Sequence, residues 1–145
     1  MFKGEYYHSL DEKGRLIMPS RLRQGLGDKF VATKGLDGCL FVYPIPEWSV
    51  LEEKLENLPF MSGDFRTFNR LFLSGAADCE FDRQGRFSIP QNLREYAKID
   101  KDVAVIGVSN RIEIWSRAGW EEYQASKYPS FEALAEKIVD ARDED

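Results

Sequence analysis

The chain has 145 residues, which is enough for one compact domain or for two small units that share a core. Its composition, 43% hydrophobic and 31% charged, is that of a globular protein, and we see neither a membrane helix nor a signal peptide, so we expect a cytoplasmic protein without a membrane partner. The net charge of −5 excludes a uniformly basic protein, but residues 119–145 hold 3 basic and 8 acidic side chains, whereas residues 1–27 hold 5 basic and 3 acidic ones.

Local patterns in the first half predict a β-rich unit followed by a helix. An aromatic β stretch precedes a turn in which Gly14 can adopt a positive φ. Ser20 is a candidate N-cap for a short helix that Gly25 and Gly27 would stop, and Asp37-Gly38 is typical of a tight hairpin. The predicted elements are strands at 2–10, 15–18, 30–33 and 39–43 and helices at 21–25 and 46–58.

The second half repeats this order and has further helices on both sides. The stretch that joins the halves, 62–73, carries Phe65, Phe68, Leu71 and Phe72 at helical spacing. The further predicted elements are a turn at 82–85, strands at 86–89, 103–108 and 112–115, and helices at 90–97, 118–126 and 130–142. An acidic tail follows the last helix.

The two halves are an internal repeat with an offset of 71 residues, because Asp-x-x-Gly-Arg occurs at 11–15 and again at 82–86. Further along, the offset becomes 72, and Trp48 aligns with Trp120. One copy alone would leave its apolar face uncovered, so we expect the two copies to pack as a pseudo-symmetric pair. We expect Trp48, Trp115 and Trp120 in the core or at a subunit interface. We divide the chain into a first repeat with its helix (1–61), a connecting helix (62–74), a second repeat (75–125) and a C-terminal helix with its tail (126–145).

Catalytic and metal-binding chemistry has few candidate residues. His8 is the single histidine, and Cys39 and Cys79 are isolated cysteines, so we expect no metal site and two reduced, buried thiols. The sequence contains neither a phosphate-binding glycine loop nor a nucleophile elbow. We therefore expect no cofactor, no catalytic residue and no small-molecule substrate.

The sequences Asp-Glu-Lys-Gly-Arg at 11–15 and Asp-Arg-Gln-Gly-Arg at 82–86 resemble the swapped-hairpin, AbrB-like class of DNA-binding domains. Two copies in a chain of this length resemble the MraZ family, and the resemblance covers nearly the whole chain. Three further stretches also fit that family: residues 1–5, Tyr43-Pro44 with Trp48, and residues 107–115. The resemblance implies an α+β fold in which two pseudo-symmetric swapped-hairpin, β-rich repeats are flanked by helices.

The resemblance also implies a function. Members of this family are transcriptional regulators of the division and cell-wall gene cluster, and they bind short direct repeats in the double-stranded DNA upstream of their own operon. Their chains assemble into closed rings. We therefore expect a nucleoid-associated, homo-oligomeric regulator that is not an enzyme.

Arg15 and Arg86 are the candidate residues for reading DNA, because a guanidinium can bind phosphate or the guanine edge bidentately. The alternative is that each arginine only braces its turn by pairing with the aspartate four residues earlier, and both roles can coexist. The remaining candidate DNA contacts, which could equally be solvated surface charges, are Lys3, Lys13, Arg21, Arg23 and Arg83. The residues expected to support the motif are Asp11, Gly14, Asp82 and Gly85. We expect the first repeat to contribute more, because its flank is more basic.

Two other classes of function stay open from the residues. An enzyme could use Asp11 and Asp82 as a carboxylate dyad, although each is matched with an arginine. An AbrB-like antitoxin or a ring-forming interaction adaptor could bind a partner through the acidic C-terminal helix. The duplication argues against the antitoxin, since such antitoxins usually carry one copy.

Overall fold

A computed structural model describes residues 1–143 of the chain, as eight strands and six helices. The strands are β1 (Phe2–Ser9), β2 (Arg15–Ile17), β3 (Lys29–Lys34), β4 (Leu40–Pro44), β5 (Ala77–Glu80), β6 (Arg86–Ser88), β7 (Asp102–Ser109) and β8 (Arg111–Ser116). The helices are α1 (Ser20–Leu26), α2 (Ile45–Glu56), α3 (Gly63–Ser74), α4 (Gln91–Tyr96), α5 (Arg117–Lys127) and α6 (Phe131–Asp143), and a 3-10 turn at Tyr128–Ser130 precedes α6. The end of the expected acidic tail, Glu144 and Asp145, lies outside the described residues.

Six of the strands form one antiparallel sheet in the order β1-β7-β8-β4-β3-β5. The first strand of each repeat is exchanged: β1 pairs along its whole length with β7 of the second repeat, and β5 pairs with β3 of the first. The pseudo-twofold axis therefore lies between β4 and β8, and neither repeat has a complete sheet without the other. The expected α+β fold with two swapped, β-rich repeats is confirmed.

Both faces of the sheet are covered, because apolar residues occupy successive positions of its central strands. Leu40 and Val42 point to one face, and Phe41 and Tyr43 point to the other. The first face packs against α1, α4 and the separate two-stranded ribbon of β2 and β6. The second face packs against α2, α3 and α5. The ribbon thus lies over one face of the sheet and is anchored there by its buried side chains.

The predicted elements agree with the structure apart from details of helix α1 and one strand. Ser20 was expected to cap α1, but Pro19 occupies the N-cap position and its carbonyl accepts the first backbone bonds of the helix. Gly25 was expected to end α1 but lies inside it, where a Cβ would come within 2.7 Å of the ring of Phe2. Gly27 is the C-cap, with φ 79°. Strand β5 had no predicted bounds of its own.

The tryptophan predictions hold for packing. Trp48, on α2, and Trp115, on β8, are buried in the core on the second face of the sheet. Trp120, on α5, is half-buried against Trp115. Helix α6 differs from the other helices, because every residue from 131 to 142 is exposed. None of the helices within residues 1–143 has the length and apolar composition that spanning a bilayer requires.

Candidate nucleic-acid interface

The β2–β6 ribbon joins the two Asp-x-x-Gly-Arg motifs into one surface. Its strands are antiparallel, with Leu16 directly opposite Phe87, and both side chains are buried in the core. The turn before each strand also bonds to the end of the other strand: Met18 N donates to Gly85 O at 3.2 Å, and Ile89 N donates to Gly14 O at 3.1 Å. The two turns therefore lie at opposite ends of the ribbon, about 10 Å apart along three extended residues.

Asp11 organises the first turn through both of its carboxylate oxygens. Its Oδ1 accepts from the backbone N–H groups of Lys13 and Arg15, each at 2.9 Å. Its Oδ2 accepts from the side-chain Nε of Arg15 at 2.7 Å. Gly14 closes the turn with φ 77°, a conformation that glycine adopts without strain.

The second turn has the same geometry. Asp82 accepts from the backbone N–H groups of Gln84 and Arg86 at 2.9 Å and from Arg86 Nε at 2.8 Å, and Gly85 has φ 76°. The bracing role that the sequence allowed for each arginine is therefore present. It uses only the Nε edge, which leaves the two terminal guanidinium nitrogens as the part that can meet a ligand.

The two arginines differ in one contact. A terminal nitrogen of Arg86 lies 3.9 Å from Asp11 Oδ2, so this guanidinium is shared between two carboxylates. Within residues 1–143, the terminal nitrogens of Arg15 have no such acceptor. Arg15 is therefore the more available of the two arginines for an external phosphate or base.

The electrostatics of both aspartates favour the charged form. The backbone N–H of Arg15, followed by its side chain, lowers the pKa of Asp11, and Arg86 lowers the pKa of Asp82 in the same way. Both carboxylates are therefore ionised at neutral pH. A carboxylate dyad that shares a proton needs one raised pKa, so this geometry does not support the enzyme alternative.

Two further arginines, one from each repeat, pack against the glycines of the two turns. Arg94 donates from Nε to Ile89 O at 3.0 Å, and its guanidinium lies over Gly14, where a Cβ would come within 2.8 Å of it. Arg23 lies in the same way over Gly85 of the second turn. Arg23 was a predicted DNA contact, whereas Arg94 was not. The repeat offset of 71 residues, which aligns these two arginines, could have identified it.

The remaining predicted contacts fall into two groups. Lys13 and Arg83 are exposed in the turns themselves, and Arg21 is exposed in the first turn of helix α1, just beyond the ribbon. Lys3 is also exposed, but it lies six residues before the end of β1, which is about 20 Å along an extended strand. The structure therefore brings Lys13, Arg83 and Arg21 to the ribbon and does not bring Lys3 there.

The shape of the ribbon suits duplex DNA. A two-stranded β-ribbon can enter the major groove, and arginine is the side chain that most often binds the guanine edge there.

No group of three or more potential metal ligands occurs together within residues 1–143. Cys39 is buried and Cys79 is half-buried, and both are free thiols. Burial raises the pKa of both thiols, that of Cys79 to about 11.

Comparison with known proteins gives a consistent result over the whole chain. The family model described as "MraZ protein, putative antitoxin-like" matches twice, at residues 1–71 and 72–142. The chain is 61% identical over 140 residues to the transcriptional regulator MraZ of Natranaerobius thermophilus, covering 97% of this chain and 98% of that protein. It is 59% identical to the protein of the same name from Pelotomaculum thermopropionicum, covering 97% of each chain. It is also 61% identical to that from Moorella thermoacetica, covering 97% of this chain and 98% of that protein.

Proposed function

Since the chain belongs to the MraZ family, a family of transcriptional regulators and not of enzymes, we propose that it is a DNA-binding transcriptional regulator that contacts DNA through the outer face of the β2–β6 ribbon. The observation that carries this proposal is the pair of turns in which Asp11 and Asp82 hold the Nε edges of Arg15 and Arg86. An arginine fixed at Nε keeps its orientation while its terminal nitrogens can bind a base or a phosphate.

The charge around the ribbon supports the same surface. The two turns carry Lys13, Arg15, Arg83 and Arg86 against three acidic residues, although the chain as a whole has a net charge of −5. Arg23 and Arg94 pack on the turns and Arg21 lies in the neighbouring first turn of α1, so they add to this local excess. Asp28, beside Arg23 and Arg83, reduces it by one charge. We propose Lys13, Arg83 and Arg21 as phosphate contacts and Arg23 as a brace of the second turn. Lys3 has no place in this DNA interface.

The target belongs to the proposal as well. The resemblance to the MraZ family supports binding to short direct repeats upstream of the protein's own operon, within the division and cell-wall gene cluster. In this proposal, several chains form a closed ring that sets ribbons side by side on one DNA. Weak individual contacts then add through a high effective concentration, and the protein is nucleoid-associated because it is bound to DNA.

An exposed helix supports the proposed assembly. Helix α6 carries Phe131, Leu134 and Ile138 on one side, and Phe131 and Ile138 are 65% and 69% exposed. Contiguous apolar surface of this kind is typical of an interaction site. A row of acidic residues runs beside these side chains at intervals of four residues: Glu132, Glu136 and Asp140.

A second exposed surface, on helix α3 and the connection before it, offers apolar and basic side chains. Phe60 and Met61 are exposed in that connection. Leu71 and the basic side chain of Arg70 are exposed near the end of α3, roughly 12 Å further along the helix axis. We propose that α6 of one chain packs on this surface of the next. Because the two surfaces differ, the contact is heterologous, and a heterologous contact that closes on itself produces a ring.

We also propose where the two repeats and their flanking helices begin and end. We divide the chain at 1–61, 62–74, 75–125 and 126–145, as the repeat predicts. The exchange of β1 and β5 supports two repeats that fold only together.

The proposed function is tested by a gel-shift titration against the DNA upstream of the protein's own gene, at low and moderate salt, with scrambled DNA as competitor. We expect tight, competitor-resistant binding that weakens steeply with salt, because phosphate contacts release counterions. The Arg15→Ala variant should lose specific binding and keep the assembly. Wild-type affinity in that variant, or equal binding to scrambled DNA, would contradict the proposal.

The second candidate is an antitoxin-like protein whose exposed α6 binds a protein partner instead of a neighbouring chain. The description of the matching family and the apolar side of α6 favour it. It predicts that the purified protein stays monomeric until the product of an adjacent gene is added, whereas the ring predicts self-assembly without any partner.

A further inference from the structure

The outer face of the β2–β6 ribbon combines basic and apolar chemistry. Strands alternate their side chains, so the residues flanking buried Leu16 and Phe87 point away from the core. These outer residues are Arg15, Ile17, Arg86 and Ser88. The register places Ile17 directly opposite Arg86, and 51% of the Ile17 side chain is exposed although its neighbour Leu16 is fully buried.

An aliphatic side chain at this position has one suitable partner on duplex DNA. In the major groove, the base edges present hydrogen-bonding groups and one methyl group, the C5-methyl of thymine. Facing side chains on paired strands have Cβ atoms about 5 Å apart, and successive base pairs are about 3.4 Å apart along a strand. Ile17 and Arg86 can therefore contact neighbouring base pairs at the same time.

We propose that Ile17 is a specificity-determining residue that packs on a thymine C5-methyl group next to the base pair contacted by Arg86. This inference rests on the proposed function, because it requires the ribbon to enter the major groove. The aliphatic side chain loses water when it covers the methyl group, and that gain is absent when cytosine or a purine occupies the position.

The second repeat provides a natural comparison. Ser88 is the counterpart of Ile17 at the repeat offset of 71 residues, and it lies opposite Arg15. A serine hydroxyl can donate to or accept from several bases, so it does not select for a methyl group. The methyl selection therefore acts at the Ile17 end of the ribbon alone.

The test removes the methyl group from the DNA and the aliphatic group from the protein. In the upstream duplex, each thymine is replaced singly by deoxyuridine, which keeps the base pair and deletes only the methyl group. Dissociation constants are measured by fluorescence anisotropy for the wild type, for Ile17→Ser, which copies the second repeat, and for Ser88→Ala as the matched control. Thermal unfolding checks that each variant is folded, which we expect because both positions are exposed.

We expect the wild type to bind about fourfold more weakly to the duplex that lacks the critical methyl group, the change that corresponds to burial of one methyl. Ile17→Ser should bind the thymine duplex about fourfold more weakly than the wild type does, and replacing the critical thymine by uracil should not weaken its binding further. Ser88→Ala should still bind that uracil duplex more weakly than the thymine duplex. Equal wild-type affinity for every uracil duplex would overturn the inference, and so would an Ile17→Ser variant that keeps the sensitivity. Absence of wild-type binding to the thymine duplex would overturn the proposed function itself.

Discussion

The two motif arginines should contribute unequally to DNA binding, and substitution of each by alanine and by lysine tests this. Arg15 has terminal nitrogens without an acceptor within the described chain, whereas a terminal nitrogen of Arg86 lies 3.9 Å from Asp11. Arg86 must give up part of this attraction before it binds DNA. We therefore expect Arg15→Ala to reduce affinity more than Arg86→Ala.

The size of the effect follows from the bidentate geometry that the Nε contact leaves possible. One bidentate arginine–guanine contact discriminates by about 1–3 kcal/mol, which is about 5- to 150-fold in affinity. Arg15→Lys keeps the positive charge but loses the planar guanidinium with its paired N–H donors. Compared with Arg15→Ala, it should therefore regain nonspecific DNA binding but little of the sequence specificity. If Arg15 reads a base, its removal relaxes specificity; if it contacts phosphate, its removal lowers the salt dependence by about one counterion.

Fluorescence anisotropy at roughly 50 mM and 200 mM salt measures both quantities, with scrambled DNA as the nonspecific reference. Arg117→Ala is the control, because it removes an exposed arginine from α5 on the opposite face of the sheet. Arg15→Lys with wild-type affinity and specificity would refute the bidentate argument. A larger loss for Arg86→Ala than for Arg15→Ala would refute the argument from the shared carboxylate.

Three further predictions concern stability, reactivity and assembly. Gly85→Ala forces alanine into φ 76° and puts its Cβ where the Arg23 guanidinium lies, so that side chain must move aside. The free energy of unfolding should fall by at least about 1–2 kcal/mol, or the Tm by about 2–8 °C. Gly63→Ala in the first turn of α3 should not destabilise, and equal Tm changes would contradict this. The Cys79 thiol, with its pKa raised to about 11 by burial, should react slowly with iodoacetamide at pH 8 in the folded protein and rapidly after denaturation, and fast labelling of the native state would show that the site opens. In the proposed ring we place Arg70 of one chain against Glu136 in α6 of the next. Arg70→Glu should then dissociate the ring in light scattering and Glu136→Arg in the same chain should restore it; failure of the rescue would exclude this pairing.

The turns of the ribbon were predictable because their chemistry is local. An aspartate, a glycine and an arginine at fixed spacing specify the turn, and the structure confirms the bond between Asp11 and Arg15 that this spacing suggested. The hairpin at Asp37-Gly38 is confirmed for the same reason, since both residues have positive φ. In these segments the interacting groups lie within five residues of each other, so the sequence contains the whole interaction.

Strand exchange was not predictable from local patterns. Phe2 pairs with Ser109, and the choice of that partner depends on a core to which both repeats contribute. Lys3 shows the same limit for the site: it is eight residues from Asp11 in sequence, but the extended strand between them carries it away from the ribbon. The contact of Arg94 with Gly14 crosses from one repeat to the other, so no local pattern marks it, and Arg94 could have been found only by aligning it with Arg23 through the repeat.

The fusion of two repeats in one chain has a consequence for the DNA that the proposed interface can read. Two identical hairpins would give the ribbon true twofold symmetry, and a symmetric reader matches a palindrome. Here the repeats differ on the outer face, with Ile17 against Ser88 and Lys13 against Gln84 at equivalent positions. The ribbon therefore presents different chemistry at its two ends and has one preferred direction on DNA.

Chains joined by heterologous contacts in a ring all point the same way around it, so their ribbons would meet the DNA in one orientation. Direct repeats are the sequence arrangement that such a set of readers requires, and an engineered chain with Ile17→Ser, Lys13→Gln and Glu12→Arg, which copies the second turn into the first, should lose its preference for direct over inverted repeats in a competition gel shift.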